Sequence, residues 1–255
     1  MSEPSQPPPP PPPPPSTPPE PEAAPPAAEL DRGSLPTVGW GPGQTLVGLA
    51  VLLAVTLVEV SVIAAFDPDI ETLGGRLALQ ALLAISLAGV AFMLASPGEL
   101  TAPSALGLRE AVTPPWKPAA LAYLVYVACA IVIAALIQPQ QDDVTEELGY
   151  GESGVADVTI GFLIVVVAPV TEEIFFRGFL FSGMRRRLPF AGAAAISAGV
   201  WGIFHYTGPG TWGVVVQLVV FGIVLAWLYE RTGSIWPTIG VHALNNAIAF
   251  AILTS

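Results

Sequence analysis

The sequence predicts an all-α fold: a polytopic membrane helix bundle with seven transmembrane helices, or eight if the long fourth apolar run divides. Three observations predict it. Hydrophobic residues fill 53% of the 255 positions and charged residues only 11%, with a mean hydropathy of +0.64, whereas a soluble domain carries roughly a quarter charged residues. The apolar residues fall in runs close to the about 20 that carry a helix across a bilayer. The acids behind the net charge of −11 gather in the N-terminal tail and in connecting loops. They mark segments outside lipid, and the chain offers no basic footprint for nucleic acid.

Taken in order, residues 1–43 read as a proline-rich, disordered tail and residues 44–255 as the bundle. Pro7 to Pro15 is unbroken proline, followed by Pro18, Pro19, Pro21, Pro25 and Pro26. Such a stretch lacks backbone donors and has little apolar surface to bury, so it should be extended and solvated, a tether in preference to a partner's ligand. It has no basic segment leading into a cleavable apolar one and does not read as a signal peptide. The apolar runs are Leu46–Phe66, Leu77–Ala95, Ala119–Ile137, Val158–Met184, Phe190–Tyr206, Val214–Tyr229 and Ile235–Leu253. With the N-terminus cytoplasmic, the inner loops hold Arg109, Lys117, Arg185, Arg186, Arg187 and Arg231. The outer ones hold Arg76 alone, with Asp142, Asp143, Glu146, Glu147 and Glu152. That is the asymmetry of the positive-inside rule. The one cysteine, Cys129, sits in an apolar run and reads as a packing residue without a disulfide partner.

Ionisable residues inside these runs carry the functional information, since a charge near the bilayer centre costs about 2.5–3.5 kcal/mol on insertion scales. Within the fourth run stands Glu172-Glu173-Ile-Phe-Phe-Arg177. Glu173 and Arg177 are four apart, acid first, the favourable order for a helical ion pair. Glu172 is turned about 100° away and keeps no such partner. One carboxylate neutralised and one available implies that Glu173 and Arg177 scaffold while Glu172 reacts. Pro169 should kink the helix just before the pair. The two histidines of the chain each have a same-face companion four residues away, Trp201 before His205 and Asn246 after His242. With Arg185, Phe190 and Ile235 as inner-interface markers, Glu172 lies about 20 Å deep, His205 about 22 Å, His242 about 10 Å and Asn246 about 16 Å. Given helix tilt, the four can share a cavity. Glu59, deep in the first run, either lines that cavity or meets a local hydrogen-bond partner.

A carboxylate and an imidazole in a partly dry cavity can activate water by general base catalysis, and an Asn amide with a second His can donate to an oxyanion. The same Glu172, His205 and His242 could instead bind zinc, although no His-Glu-x-x-His signature is present. Residue chemistry alone leaves an intramembrane hydrolase and a proton-coupled transporter open.

The motifs carry a resemblance. Glu172-Glu173-x-x-x-Arg177, Trp201-x-x-x-His205 and His242-x-x-x-Asn246, in that order on successive apolar runs, resemble the three motifs of the CPBP family. That family comprises the type II CAAX prenyl endopeptidases and the bacteriocin-processing and self-immunity proteins. Leu106-Gly107-Leu108-Arg109 resembles a further short motif of the family. The resemblance covers roughly Val158–Leu253 and implies an intramembrane endopeptidase acting on membrane-anchored or C-terminally lipidated (CAAX-type) polypeptides. Glu172 and His205 would activate water, His242 and Asn246 would hold the oxyanion, and Glu173, Arg177 and Trp201 would support the site. Both a zinc and a metal-free glutamate mechanism are compatible with it. One departure is Trp201, where the family usually has Phe; its larger ring brings an N–H donor beside the imidazole. The alternative within the family is a non-catalytic immunity or scaffold protein. The expected setting is a bacterial plasma membrane.

Overall fold

The computed structural model describes residues 33–67, 72–96, 98–139 and 144–255. The proline-rich stretch through residue 32 and the loop acids Asp142 and Asp143 lie outside them. Every regular element among the described residues is helical, so the all-α expectation holds. Seven long helices follow one another: α1 Pro42–Phe66, α2 Leu73–Leu94, α3 Trp116–Ile137, α4 Gly154–Arg185, α5 Phe190–Ile203, α6 Trp212–Thr232 and α7 Trp236–Leu253.

Five of them, α1 to α4 and α6, are long and apolar enough to cross a membrane. The chain is a multi-pass membrane protein, but the count of seven or eight spans is not reached by that measure. The shortfall has local causes. The fifth apolar run extends to Tyr206 in the sequence, yet α5 closes after 14 residues at Ile203. His205 and Tyr206 then tighten into i→i+3 bonds onto Gly202 and Ile203, and Gly208-Pro209 blocks continuation. In α7, His242, Asn245 and Asn246 interrupt an 18-residue helix that is otherwise apolar.

Lipid-facing and packed elements differ clearly. α1 turns Leu46, Leu53, Leu57 and Val58 outward, and α3 does the same with Leu124, Ile131 and Leu136. α6 is the most enclosed span and packs chiefly on α5 and α3. Small residues permit the α5–α6 approach, as they do between membrane helices generally. A Cβ on Gly222 would stand 2.7 Å from that of Ala198, and one on Gly202 2.8 Å from Val219.

The fourth run is a single rod of 32 residues, about 48 Å at 1.5 Å per residue and so longer than a bilayer core of about 30 Å. It is not uniform. Leu163–Val167 and Glu173–Phe181 are wound as π-helix, separated by α-helical Ala168–Glu172. π-Helical turns of this kind are frequent at functional sites, and here Glu172 closes the α-helical turn between them while Glu173 opens the second π-segment.

A non-helical staple anchors the base of this rod. The chain between α2 and α3 passes beneath it, with Leu106 fully buried and its carbonyl against Gly178, where a Cβ would come within 2.5 Å of the oxygen. Gly107 takes φ +84, a conformation that favours glycine, and its carbonyl accepts from Ile235 N at 2.9 Å. Arg109 donates through Nε to Gly233 O and through Nη2 to Ser34 O, both at 2.7 Å, while Ser234 Oγ donates to the Arg109 carbonyl at 2.6 Å. The Leu106–Arg109 motif therefore ties the α6–α7 turn to the rest of the bundle. Residues 34–41, within the stretch expected to be tail, pack here as well. Trp40 is buried and its indole donates to Phe179 O at 2.9 Å.

Two smaller expectations find their places. Glu59 accepts a hydrogen bond from Ser86 of α2, the local-partner alternative. Cys129 is a free cysteine, partly exposed on α3.

Candidate active site

Pro169 begins the local construction. In the π-register of Leu163–Val167 the N–H of Ala168 closes onto Leu163 O, so the carbonyl of Ile164 faces residue 169, a proline without an N–H. Asn246 fills the gap, donating through Nδ2 to Ile164 O at 2.9 Å. The proline thus creates a carbonyl that only another helix can satisfy, and α7 satisfies it.

One turn on, the two glutamates separate as their positions require. Glu173 is fully buried. Its Oε1 accepts from Arg177 Nη1 at 2.9 Å and from His242 Nδ1 at 3.0 Å. Donation from Nδ1 leaves Nε2 as the imidazole's other face, and that atom lies 4.0 Å from Glu172 Oε2. Glu172 keeps 14% of its side chain accessible. Oε2 accepts from the indole N–H of Trp201 at 2.6 Å, and no hydrogen bond ties Oε1 among the described residues.

Aromatic rings wall this cluster. Trp201 is 1% exposed. Its ring meets His242 edge-on at 5.3 Å and His205 at 5.4 Å. It also lies 4.6 Å from the Arg177 guanidinium. The Nε and Nη2 of that guanidinium make no hydrogen bond among the described residues, so the indole face supplies the contact that solvent would otherwise give. Phe221 closes the other side of His242 at 5.7 Å.

The structure brings Glu172, Glu173, Arg177, Trp201 and His242 into one cluster. His205 stands at its edge, exposed just past the end of α5. Its Nδ1 donates to the Trp201 carbonyl at 2.9 Å, which leaves Nε2 free to accept a proton. Asn246 sits one turn along α7 from His242 and spends one N–H on Ile164; its second donor remains. The depth difference of about 10 Å expected between Glu172 and His242 from the helical rise is not found. Ile235, used as an interface marker, is fully buried and bonded to Gly107, so α7 starts inside the bundle rather than at its surface.

Zinc would need three or four ligands converging on one point about 2.0–2.3 Å away. Among the described residues no group of three His, Cys, Asp or Glu side chains is placed to hold a metal ion. Glu172 Oε2 and His242 Nε2 lie 4.0 Å apart, but His205 does not join them as a third ligand, so the three do not fit zinc in this arrangement.

Sequence reasoning missed two contributors. Phe221 carried no signal, being one apolar residue among many. The Ile164 carbonyl was detectable in principle, because Pro169 removes a donor from any helix, but the π-register that selects Ile164 was not.

Comparison with known proteins bears out the resemblance. Residues 154–248 match the family described as type II CAAX prenyl endopeptidase Rce1-like, a segment that holds all three motifs. YyaK, an uncharacterized protein of Bacillus subtilis (strain 168), is 31% identical over 98 residues, 36% of this chain and 32% of that protein. The putative membrane peptidase YdiL of the same organism is 32% identical over 81 residues, 32% of each chain. The chain thus spans about a third of the length of the curated relatives it matches. No solved structure matches. Residues 154–248, from the first turn of α4 through the second histidine motif, are thus similar to the Rce1-like type II CAAX prenyl endopeptidase family, over less than half of the chain.

Proposed function

We propose that the chain is an intramembrane endopeptidase that hydrolyses a peptide bond in a membrane-anchored or C-terminally lipidated polypeptide, with Glu172 as the general base. The observation that carries this reading is the contrast within one dipeptide. Glu173 is fully buried with Oε1 held by both Arg177 and His242, whereas Glu172 keeps 14% of its side chain accessible, with Oε2 oriented by Trp201 and Oε1 open.

Water activated by the free oxygen of Glu172 gives up a proton to the carboxylate as its oxygen bonds to the scissile carbonyl carbon. The resulting oxyanion needs donors. The second N–H of Asn246 is one. His242 Nε2–H is the other, a role that requires His242 to carry both ring protons because Nδ1 already donates to Glu173. Collapse breaks the C–N bond, and the proton held by Glu172 passes to the departing amine. His205, with Nε2 free, is placed at the edge to accept or relay a proton. The named relatives are bacterial, which fits a plasma-membrane setting, and the excess of Arg and Lys in the inner loops supports a cytoplasmic N-terminus.

Mass-spectrometric profiling of peptide termini tests this in membranes expressing wild type or Glu172→Gln at equal abundance. New termini confined to wild type identify the cleavage and the substrate. Identical profiles with both proteins folded would overturn the catalytic reading and favour a non-catalytic binding role for the same cluster of residues.

A further inference from the structure

We propose that Trp201 is a positioning residue of this reaction, its indole N–H selecting which oxygen of Glu172 faces the attacking water. The proposal rests on the peptidase reading and adds a residue through which Glu172 acts.

A carboxylate on a helix can rotate about its terminal torsion, which is broad and roughly two-fold. Nothing on α4 itself stops Glu172 from doing so, since its neighbour Glu173 takes up Arg177 and His242 Nδ1. The 2.6 Å bond from Trp201 Nε1 to Oε2 stops it from another helix. An indole N–H is a donor with no acceptor character, so it can hold the carboxylate but cannot take its proton. The indole is itself immobile. It is 1% exposed, lies 4.6 Å from the Arg177 guanidinium, and meets both histidine rings edge-on. The Trp201 carbonyl also receives His205 Nδ1 at 2.9 Å, which fixes that ring with Nε2 free. One residue therefore orients both proton acceptors, Glu172 through its side chain and His205 through its backbone. Phenylalanine at this position would keep an aromatic ring and the backbone carbonyl, and would lose the N–H together with part of the fused ring.

Two substitutions isolate that N–H. Trp201→Phe removes it with part of the ring. Replacement of Trp201 by benzothienylalanine keeps the fused ring and puts sulfur where the N–H was, so it folds even if the smaller ring leaves a void. With ¹⁵N-tryptophan-labelled protein in micelles, the indole resonance that disappears in Trp201→Phe should move upfield in Glu172→Gln. An unmoved resonance would overturn the Trp201–Glu172 tie. Turnover is followed with an internally quenched peptide ending in a farnesylated Cys-aliphatic-aliphatic-X sequence. Both Trp201 substitutions should lower kcat roughly ten- to a hundredfold, the cost of misplacing a reacting group, with KM held within about twofold. Unchanged kcat, or a raised KM at constant kcat, would overturn positioning, the latter by making Trp201 a substrate contact. If wild type cleaves the peptide no faster than Glu172→Gln, the peptidase reading fails for that substrate class, and the indole resonance alone decides whether Trp201 holds Glu172.

Discussion

Asn246→Ala should destabilise the protein through a carbonyl on another helix, and Pro169→Ala should remove most of that cost. Asn246 Nδ2 stands 2.9 Å from Ile164 O, whose partner in the local π-register would be the N–H of residue 169, absent because residue 169 is proline. Leaving a buried acceptor unpaired costs about 1–3 kcal/mol. Measured interhelical hydrogen bonds in membranes average about 0.6 kcal/mol and reach about 1.7. A loss of about 1–1.5 kcal/mol is therefore expected for Asn246→Ala in the Pro169 background. Pro169→Ala supplies an N–H that can close onto Ile164 O within the same helix, so Asn246→Ala should then cost only a few tenths of a kcal/mol. The assay is reversible unfolding of the four proteins of the cycle in mixed micelles of increasing SDS content. Additive effects, with Asn246→Ala costing the same whether or not Pro169→Ala is present, would refute the reasoning. Activity should be lost in both backgrounds if the second N–H of Asn246 meets the oxyanion.

Two further outcomes follow from packing. Arg177→Met removes the guanidinium that pairs with the buried Glu173 at 2.9 Å. It should cost about 3–5 kcal/mol and deplete the protein from membranes, whereas the double variant with Glu173→Gln should recover most of the accumulation, read by quantitative immunoblot. Gly178→Ala drives a Cβ to within 2.5 Å of the Leu106 carbonyl and should lower stability by about 1–3 kcal/mol; Gly240→Ala, which meets open space, should be neutral or stabilising by up to about 1 kcal/mol, both by thermal melting.

Much of this architecture was legible in residue order. The apolar runs became helices α1 to α7, and the four-residue spacing of Glu173 and Arg177 became an ion pair of 2.9 Å, because both features depend only on position along one helix. Contacts between helices were not legible. Which face of α7 meets α4 depends on the rotation of each rod and on where α7 begins. Ile235 begins inside the bundle, held by Gly107, so His242 reaches Glu173 rather than lying a third of a bilayer away. The bond from Trp201 to Glu172 was hidden for the same reason: an indole four residues before a histidine predicts a shared face, not the acceptor that its N–H will find. Pro169 was readable as an interruption, but the interruption took the form of a change of winding and an inter-helix bond to Asn246.

The dependence of α4 on α7 has a consequence for biogenesis. Glu173 and the Ile164 carbonyl are inserted with the fourth helix, while the side chains that complete their bonding, His242 and Asn246, are synthesised 69 and 82 residues later. During that interval the nascent bundle holds an intramembrane carboxylate supported by Arg177 alone and a carbonyl with no donor. Arrival of the final helix relieves both groups and brings His242 Nε2 to 4.0 Å from Glu172. Closure of the bundle and completion of the bonding around Glu173 and Ile164 are thus one event, which waits for the last helix of the chain.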